Sequence, residues 1–377
     1  MLKNYSQYKT PCYIYKKSEL LKQINEIKAV FPETQLYYSA KANSHTDIMR
    51  TVQENGLNVD VASCGELRRA IEVGFSSENI SYIGPGKSIE DLKFAILCNV
   101  GEIVVESVEE IKRIIKLNKE LIKKQKILIR VNPNLEVMNS SLTMGGRASQ
   151  FGIDETEVDE TILKFKESIE IVGVHFFFRS QIFKIKELIQ QFETSISLAN
   201  SIQERNSINF RRVNIGGGIP IAYYDSQENI DMAQLKKEYN LLLQKHSLSY
   251  KVSIESGRFI SGPTGYFLTK VEYLKRSRTK NFVITDGGFS NNSSLVGVGQ
   301  VLKQNFKCTT SSKEKEVLVY SVAGPSCTPF DILLQNMELP KLHTGDYICF
   351  QNCGAYGLSY SPSNFLLLKE AVEYFIE

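Results

Sequence analysis

The chain has 377 residues, enough for two or three domains at roughly 150 residues each. Apolar residues make up 42% and charged residues 23%, which excludes wholesale disorder, and a net charge of +3 from 45 basic and 42 acidic side chains is too small for a nucleic-acid binder. The longest apolar runs, such as Ile171–Phe178, are too short to span a membrane, and the N-terminal MLKNYSQYKT lacks the apolar core of a secretory signal.

Cys12–Tyr15 opens the chain as a strand, and Lys17–Val30 follows as an amphipathic helix, with Leu20, Leu21, Ile24, Ile27 and Val30 on one face. From there to Glu255, short β-branched or aromatic runs alternate with helical spacing. The runs are Leu36–Ala40, Leu57–Ala62, Ile80–Ile83, Glu102–Val105, Ile127–Val131, Ile171–Phe178, Arg212–Ile215 and Lys251–Glu255. Ser88 and Ser107, each followed by acids, are helix N-caps. Eight strands separated by helices predict a (β/α)8 barrel, a doubly wound sheet being the second choice. After Glu255 the rhythm changes. Tyr266–Leu274, Asn281–Asp286, Glu316–Val322 and Asp346–Gln351 read as strands joined by polar turns, with Thr310–Lys315 a solvated loop. The expected organisation is an α/β barrel over 26–258 and a β-barrel domain made of 1–25 and 259–377.

Seven cysteines without paired spacing read as reduced thiols of a cytoplasmic chain. Four scattered histidines, and a Cys349–Cys353 pair outside CxxC spacing, predict no metal site.

A β/α barrel carries its chemistry at the C-terminal ends of its strands. Those ends supply Lys41, Asp60 and Ser63, Gly84-Pro-Gly-Lys87, Arg130, His175 to Gln181, Gly216-Gly217-Gly218, and Glu255-Ser-Gly-Arg258. Lys41 follows an apolar strand, where lost hydration frees an amine nucleophile, although position alone favours a solvated lysine. The glycine triplet suits either a phosphate held on bare backbone N–H groups or a simple turn. Arg258 adds charge to such a phosphate or forms a surface ion pair. Glu255 is either an ordinary strand-end acid or the carboxylate that keeps a pyridine nitrogen protonated. Amine, phosphate glycines and acid together are what pyridoxal phosphate requires.

The same residues resemble a known family. YYSAKAN (37–43), DVASCGEL (60–67), GPGKS (84–88), RVNPN (130–134), SQFGI (149–153), GVHFFFRSQ (173–181), IGGG (215–218), ESGR (255–258), AGPSCTPFD (323–331) and GAYG (354–357) follow the order of the fold-type III pyridoxal-phosphate decarboxylases. That is the group of ornithine, diaminopimelate and arginine decarboxylases. The resemblance implies pyridoxal 5'-phosphate as cofactor and loss of an amino acid's α-carboxylate to give an amine. It makes Lys41 the Schiff-base lysine, Glu255 the pyridinium partner, and Gly216, Gly217, Gly218, Arg258 and Tyr356 the phosphate binders. Asp60, Arg130, His175, Phe177 and Gly257 stand with them as cofactor contacts. Cys327 matches a cysteine delivered across a homodimer interface to protonate the substrate carbon, and Asp331 in the same motif is a candidate for the substrate amine.

Two departures stand out. Phe177 occupies the place of the family's stacking histidine, beside His175, and offers an aromatic face without a proton. Arg179 replaces a glycine and is expected either to meet a substrate carboxylate or phosphate or to form a structural ion pair. GPSCTPFD and GAYGLSYSPSNF resemble decarboxylases of siderophore intermediates, carrier-bound amino acids or microcin C-type peptide antibiotics. The substrate class is accordingly a free amino acid or one linked to a carrier or peptide, its choice set by loops 140–150, 176–185 and 287–300. Three alternatives are weighed. A racemase on this scaffold places arginine where Glu255 stands. An inactive regulatory relative would not keep Lys41, the glycines, Glu255 and Cys327 together. A small single-domain pyridoxal-binding protein would lack the β domain.

Overall fold

The computed structural model describes residues 4–134, 148–298 and 302–377. The expected loop positions 140–147 and 299–300 lie outside the described residues. The chain divides into two compact units, one of Ile24–Pro220 with Ile230–Gly257, the other of Met1–Gln23, Ile221–Asn229 and Arg258–Glu377. A boundary drawn only at 258 therefore leaves out Ile221–Asn229. That segment belongs with the β-rich unit because Asn352 Nδ2 donates to the Ala222 carbonyl at 2.9 Å and Lys307 N to that of Tyr223 at 3.0 Å.

Strand β1 (Cys12–Lys16) lies in the β-rich unit. The other unit holds β2 (Gln35–Ser39), β3 (Asn58–Val61), β4 (Ile80–Tyr82), β5 (Glu102–Val105), β6 (Lys126–Asn132), the two-residue β7 (Ile153–Asp154), β8 (Glu170–His175), β9 (Arg212–Asn214) and β10 (Lys251–Glu255). Eight of these form a closed parallel ring, β2-β3-β4-β5-β6-β8-β9-β10 and back to β2, with β7 paired only to the end of β6. All eight runs read from the sequence are ring strands. A parallel strand covered on both faces needs apolar side chains without alternation, and that is the pattern these runs carry. Ile83, Val104, Leu128 and Val172 form one of the buried clusters. Near the start of the strands the packing turns polar: buried Arg212 pairs with Glu102 and donates to the Tyr37 hydroxyl while stacking on its ring.

The helices start where the sequence places their caps. Ser88 and Asp91 form a reciprocal capping box, and Ser107 Oγ accepts from Glu110 N at 3.2 Å. A third cap does further duty: Ser63 Oγ accepts from Glu66 N, and Glu66 Oε2 accepts from Ala62 N at 2.7 Å, which fixes the Glu66 carboxylate after β3.

The β-rich unit adds β11 (Gly265–Ser277), β12 (Lys280–Thr285), β13 (Cys308–Thr310), β14 (Val317–Ala323), β15 (Ile332–Pro340), β16 (Tyr347–Phe350) and β17 (Val372–Ile376). The order is β13-β16-β11-β12-β14-β15, with β1 pairing both β11 and β17. Cys12, Ile14, Leu268 and Cys349 pack in its core. Among the described residues no helix is long and apolar enough to cross a membrane, and no group of His, Cys, Asp or Glu could hold a metal ion.

Candidate active site

β2 ends at Ser39 and the chain turns through a short 3-10 segment, Ala40–Ala42, which presents Lys41 at the strand's C-terminal end. The turn is held by the Tyr38 hydroxyl, which donates to the Asn43 carbonyl at 2.7 Å. It is closed from the other side by Gly257, where a Cβ would lie 2.6 Å from Ala42 Cβ and 2.9 Å from the Ser39 carbonyl. Gly257 thus acts by letting the end of β10 pass the lysine turn. The Lys41 ammonium sits 5.4 Å from the centroid of the Phe177 ring.

Three carboxylates surround this lysine, and burial treats them differently. Glu255 Oε1 accepts from Asn214 Nδ2 at 2.8 Å and meets His175 Nε2 at 2.8 Å. Burial alone would raise the Glu255 pKa, but the His175 ring, by charge and hydrogen bond, followed by Lys41 and Arg130, brings it down to about 2. Asp60 moves the other way. Burial first and the Glu255 charge second push it well above the carboxylate range, against Lys41 and the Ser39 hydroxyl, which donates to Asp60 Oδ2 at 2.7 Å. Glu66 is also raised by burial, with the Ala62 N–H and Lys41 opposing. The site therefore sets one carboxylate held low, Glu255, beside one pushed up, Asp60. The far oxygen of Glu255, Oε2, is buried and has no hydrogen-bond partner among the described residues.

The glycine triplet follows β9. Asn214 Oδ1 accepts from Gly216 N at 2.9 Å, so one side chain serves both the loop and Glu255. Gly216 has φ +75 and a Cβ there would lie 2.6 Å from the Phe176 carbonyl; one at Gly217 would overlap the Glu255 carbonyl. The three loop carbonyls are tied inward, Gly216 by Glu255 N at 2.9 Å, Gly217 by Gln191 Nε2 at 2.8 Å and Gly218 by Ile182 N at 3.0 Å.

Phe176 and Phe178 are buried and stacked with centroids 6.2 Å apart, while His175 and Phe177 turn to Glu255 and Lys41. His175 thus supports the acid, and Phe177 is the aromatic neighbour of the lysine. Arg179 pairs with Glu187 at 2.5 Å through NH2, its Nε–H buried and without a partner among the described residues. Arg130 is held by both oxygens of Glu106, at 3.0 and 3.1 Å, and stacks on Phe151 at 4.6 Å. Lys87 of the GPGK run is a framework residue, bonded to Glu110 at 2.7 Å and to the Val104 carbonyl at 2.9 Å.

In the β-rich unit, Arg258 donates to the Tyr223 hydroxyl at 2.8 Å and lies 4.4 Å from the Tyr356 ring centroid. Cys327 is exposed. Asp331 is buried, and both its oxygens accept backbone N–H bonds, Oδ1 from Phe289 at 2.7 Å and Oδ2 from Ser326 at 2.8 Å. The acid so placed organises the GPSCTPFD loop. Sequence reasoning missed Asn214, Gln191 and Glu106. Only Asn214 left a signal, a polar side chain ending an apolar strand just before the glycines.

These residues fit a phosphorylated pyridine aldehyde: an amine at a strand mouth, a buried ionised carboxylate with one bare oxygen to face a ring N–H, and a side-chain-free loop. The comparisons agree. The description "Pyridoxal-dependent decarboxylase, pyridoxal binding domain" matches residues 17–262. The chain is 31% identical to the L-glutamyl-[BtrI acyl-carrier protein] decarboxylase of Niallia circulans, over 96% of this chain and 87% of that protein. It is 30% identical to the 2-[(L-alanin-3-ylcarbamoyl)methyl]-2-hydroxybutanedioate decarboxylase of Staphylococcus aureus, over 94% and 91%. Diaminopimelate decarboxylase from Helicobacter pylori, solved with L-lysine, superposes with a TM-score of 0.90 at 28% identity, covering 99% of this chain and 94% of that one. The chain belongs to the fold-type III pyridoxal-phosphate-dependent decarboxylases, carboxy-lyases that act on amino-acid moieties.

Proposed function

We propose that this decarboxylase acts on an α-amino acid whose far end is acylated or acidic, as in a carrier- or peptide-linked intermediate, and not on a free diamino acid. The observation that carries the reading is Asp331. It is 1% exposed, with Oδ1 accepting from Phe289 N, Oδ2 from Ser326 N, and both oxygens packed against Gly288 and Gly324, so it serves its own loop rather than a distal ammonium. Two relatives support the same class, one acting on a glutamyl group borne by a carrier protein and one on an amide-linked alanine. Arg179 is the proposed partner for the acidic end, through the Nε–H that Glu187 leaves unbonded.

Bound pyridoxal phosphate supplies an electron sink for the pair released when the Cα–carboxylate bond breaks. Lys41 holds the cofactor through its amine, and Phe177 covers the same amine. Glu255, held low by His175 and oriented by Asn214, would hold the proton of the pyridine nitrogen. The glycine loop would hold the phosphate on its backbone N–H groups. Asp60 and Arg130 set the charge around Glu255. Cys327 Sγ–H, from a second copy of the chain, gives its proton to the substrate carbon. Free thiols at all seven cysteines support a cytoplasmic protein.

Carbon dioxide release, followed by mass spectrometry over free diamino acids, carrier-tethered glutamate and acylated diamino acids, tests the substrate class. Turnover confined to free diamino acids would sink it. Lys41→Ala is expected to lose turnover and borohydride trapping together; carbon dioxide release that survives it contradicts the assigned role of Lys41.

A further inference from the structure

We propose that Gln191 is the residue that aims the phosphate-binding N–H groups of the glycine loop. It sits in the first third of the helix Ile185–Asn206, far in sequence from Gly216, and is buried, as are Leu188, Phe192 and Ser195 of the same helix. Its Nε2 donates to the Gly217 carbonyl at 2.8 Å. In a trans peptide the N–H points away from the carbonyl of the same unit, so tying the Gly217 oxygen into the helix turns the Gly218 N–H outward. Glu255 N and Ile182 N, which take the Gly216 and Gly218 oxygens, do the same for the N–H groups of Gly217 and Ile219.

Of the three anchors Gln191 is the only side chain, and so the only one that substitution can remove without altering the backbone. Its orientation is fixed: turning the amide over would set Oε1 against the Gly217 oxygen. Oε1 itself is buried and without a hydrogen-bond partner among the described residues, so this amide is buried for the sake of one bond. A polar side chain in a helix face of leucine and phenylalanine would otherwise be a liability. Glycine, free of side-chain restraint, populates several peptide orientations, and an anchored carbonyl removes that freedom before the ligand arrives.

The proposal rests on the reading of this loop as the cofactor's phosphate cradle, and the test separates the two. Full-length Gln191→Met keeps length and bulk but lacks the donor. Its dissociation constant for pyridoxal phosphate is expected to rise roughly tenfold, the scale of one hydrogen bond to a charged group. Its constant for pyridoxal, which has no phosphate, should stay at the wild-type value. An equal loss for both ligands, or no loss, overturns the proposal. Gln191→Glu gives a second measurement on a folded chain. A carboxylate repels the Gly217 oxygen, whereas its protonated form donates to it, so binding relative to wild type should recover as pH falls; a flat ratio counts against the proposal. Borohydride labelling of wild-type Lys41 serves as the separate check, since failure there removes the cradle reading itself.

Discussion

Lys41 and Glu255 show how little of a residue's chemistry lies in its own side chain. Each is an ordinary strand-end charge until His175, Asn214, Asp60 and Phe177 are set around it. The split between Asp60 and Glu255 follows from the rule that two close buried carboxylates do not both ionise. It has a measurable consequence. Glu255 is lowered in the fold, so it contributes stability above its unfolded value of 4.5 that fades as pH falls toward about 2. Asp60 is raised, so its stabilising contribution is fully present below its unfolded value of 3.8, and between that value and the folded one folding takes up a proton and the contribution is lost as pH rises. Asp60→Asn keeps a neutral side chain that can hydrogen-bond and removes that proton uptake. In cofactor-free protein the variant should gain on wild type as pH rises above 3.8 toward the folded value of Asp60, by at most about 1.4 kcal/mol per pH unit. Thermal melts that differ by a constant amount across that range would contradict the assignment. The strand-end positions of Lys41, Glu255 and the glycines were legible in the sequence because these residues end apolar runs. The uses of Lys87 and Asp331 were not, since a charge shows nothing of the ion pair or backbone N–H that occupies it.

At the scale of elements, legibility followed the physics of burial. The ring strands announce themselves because both faces are covered, and the helix caps because few residue types satisfy a first turn. β15, Ile332–Pro340, did not. Its pairing with β14 shifts register twice, Asn336 sits at φ +50, and its burial shows no clean alternation to read. The glycine loop is the element where conformation and function coincide, and two glycines distinguish necessity from habit. Gly217 is pressed against the Glu255 carbonyl, whereas a Cβ at Gly86, within the GPGK turn, would meet nothing within 4 Å. Gly217→Ala is expected to destabilise the fold by about 1–3 kcal/mol, as overpacking does, and to lose cofactor. Gly86→Ala should be neutral or slightly stabilising. Unfolding midpoints for the pair decide the matter, and similar effects from both would show that the loop has room to relax.

At the scale of the whole molecule, the β-rich unit carries exposed apolar residues near Cys327, the residue proposed to serve a second copy of the chain. Phe330 is 74% exposed, Leu302 78% and Leu367 88%, far more apolar exposure than single surface residues explain. Their neighbours in sequence meet at one loop. Phe289 donates to Asp331 and its ring meets Phe365 at 6.0 Å, while Lys303 donates to the Ile332 carbonyl. Cys327 is exposed in that same GPSCTPFD loop. If this face pairs with its own copy, each site takes its lysine from one protomer and its cysteine from the other. Complementation then separates a shared site from a self-contained one. Lys41→Ala and Cys327→Ala homodimers should each be nearly inactive. After mixing and subunit exchange, half the dimers are heterodimers, and each of these assembles one site with both residues intact, so activity should return to roughly a quarter of wild type. Because no protomer in the mixture has both residues, that recovery has no source other than a site built across the interface. Efficient exchange, shown by a mass-tagged heterodimer, without recovery of activity would show that Cys327 is not supplied across the interface; a Cys327→Ala homodimer that keeps wild-type activity would place the thiol outside the reaction.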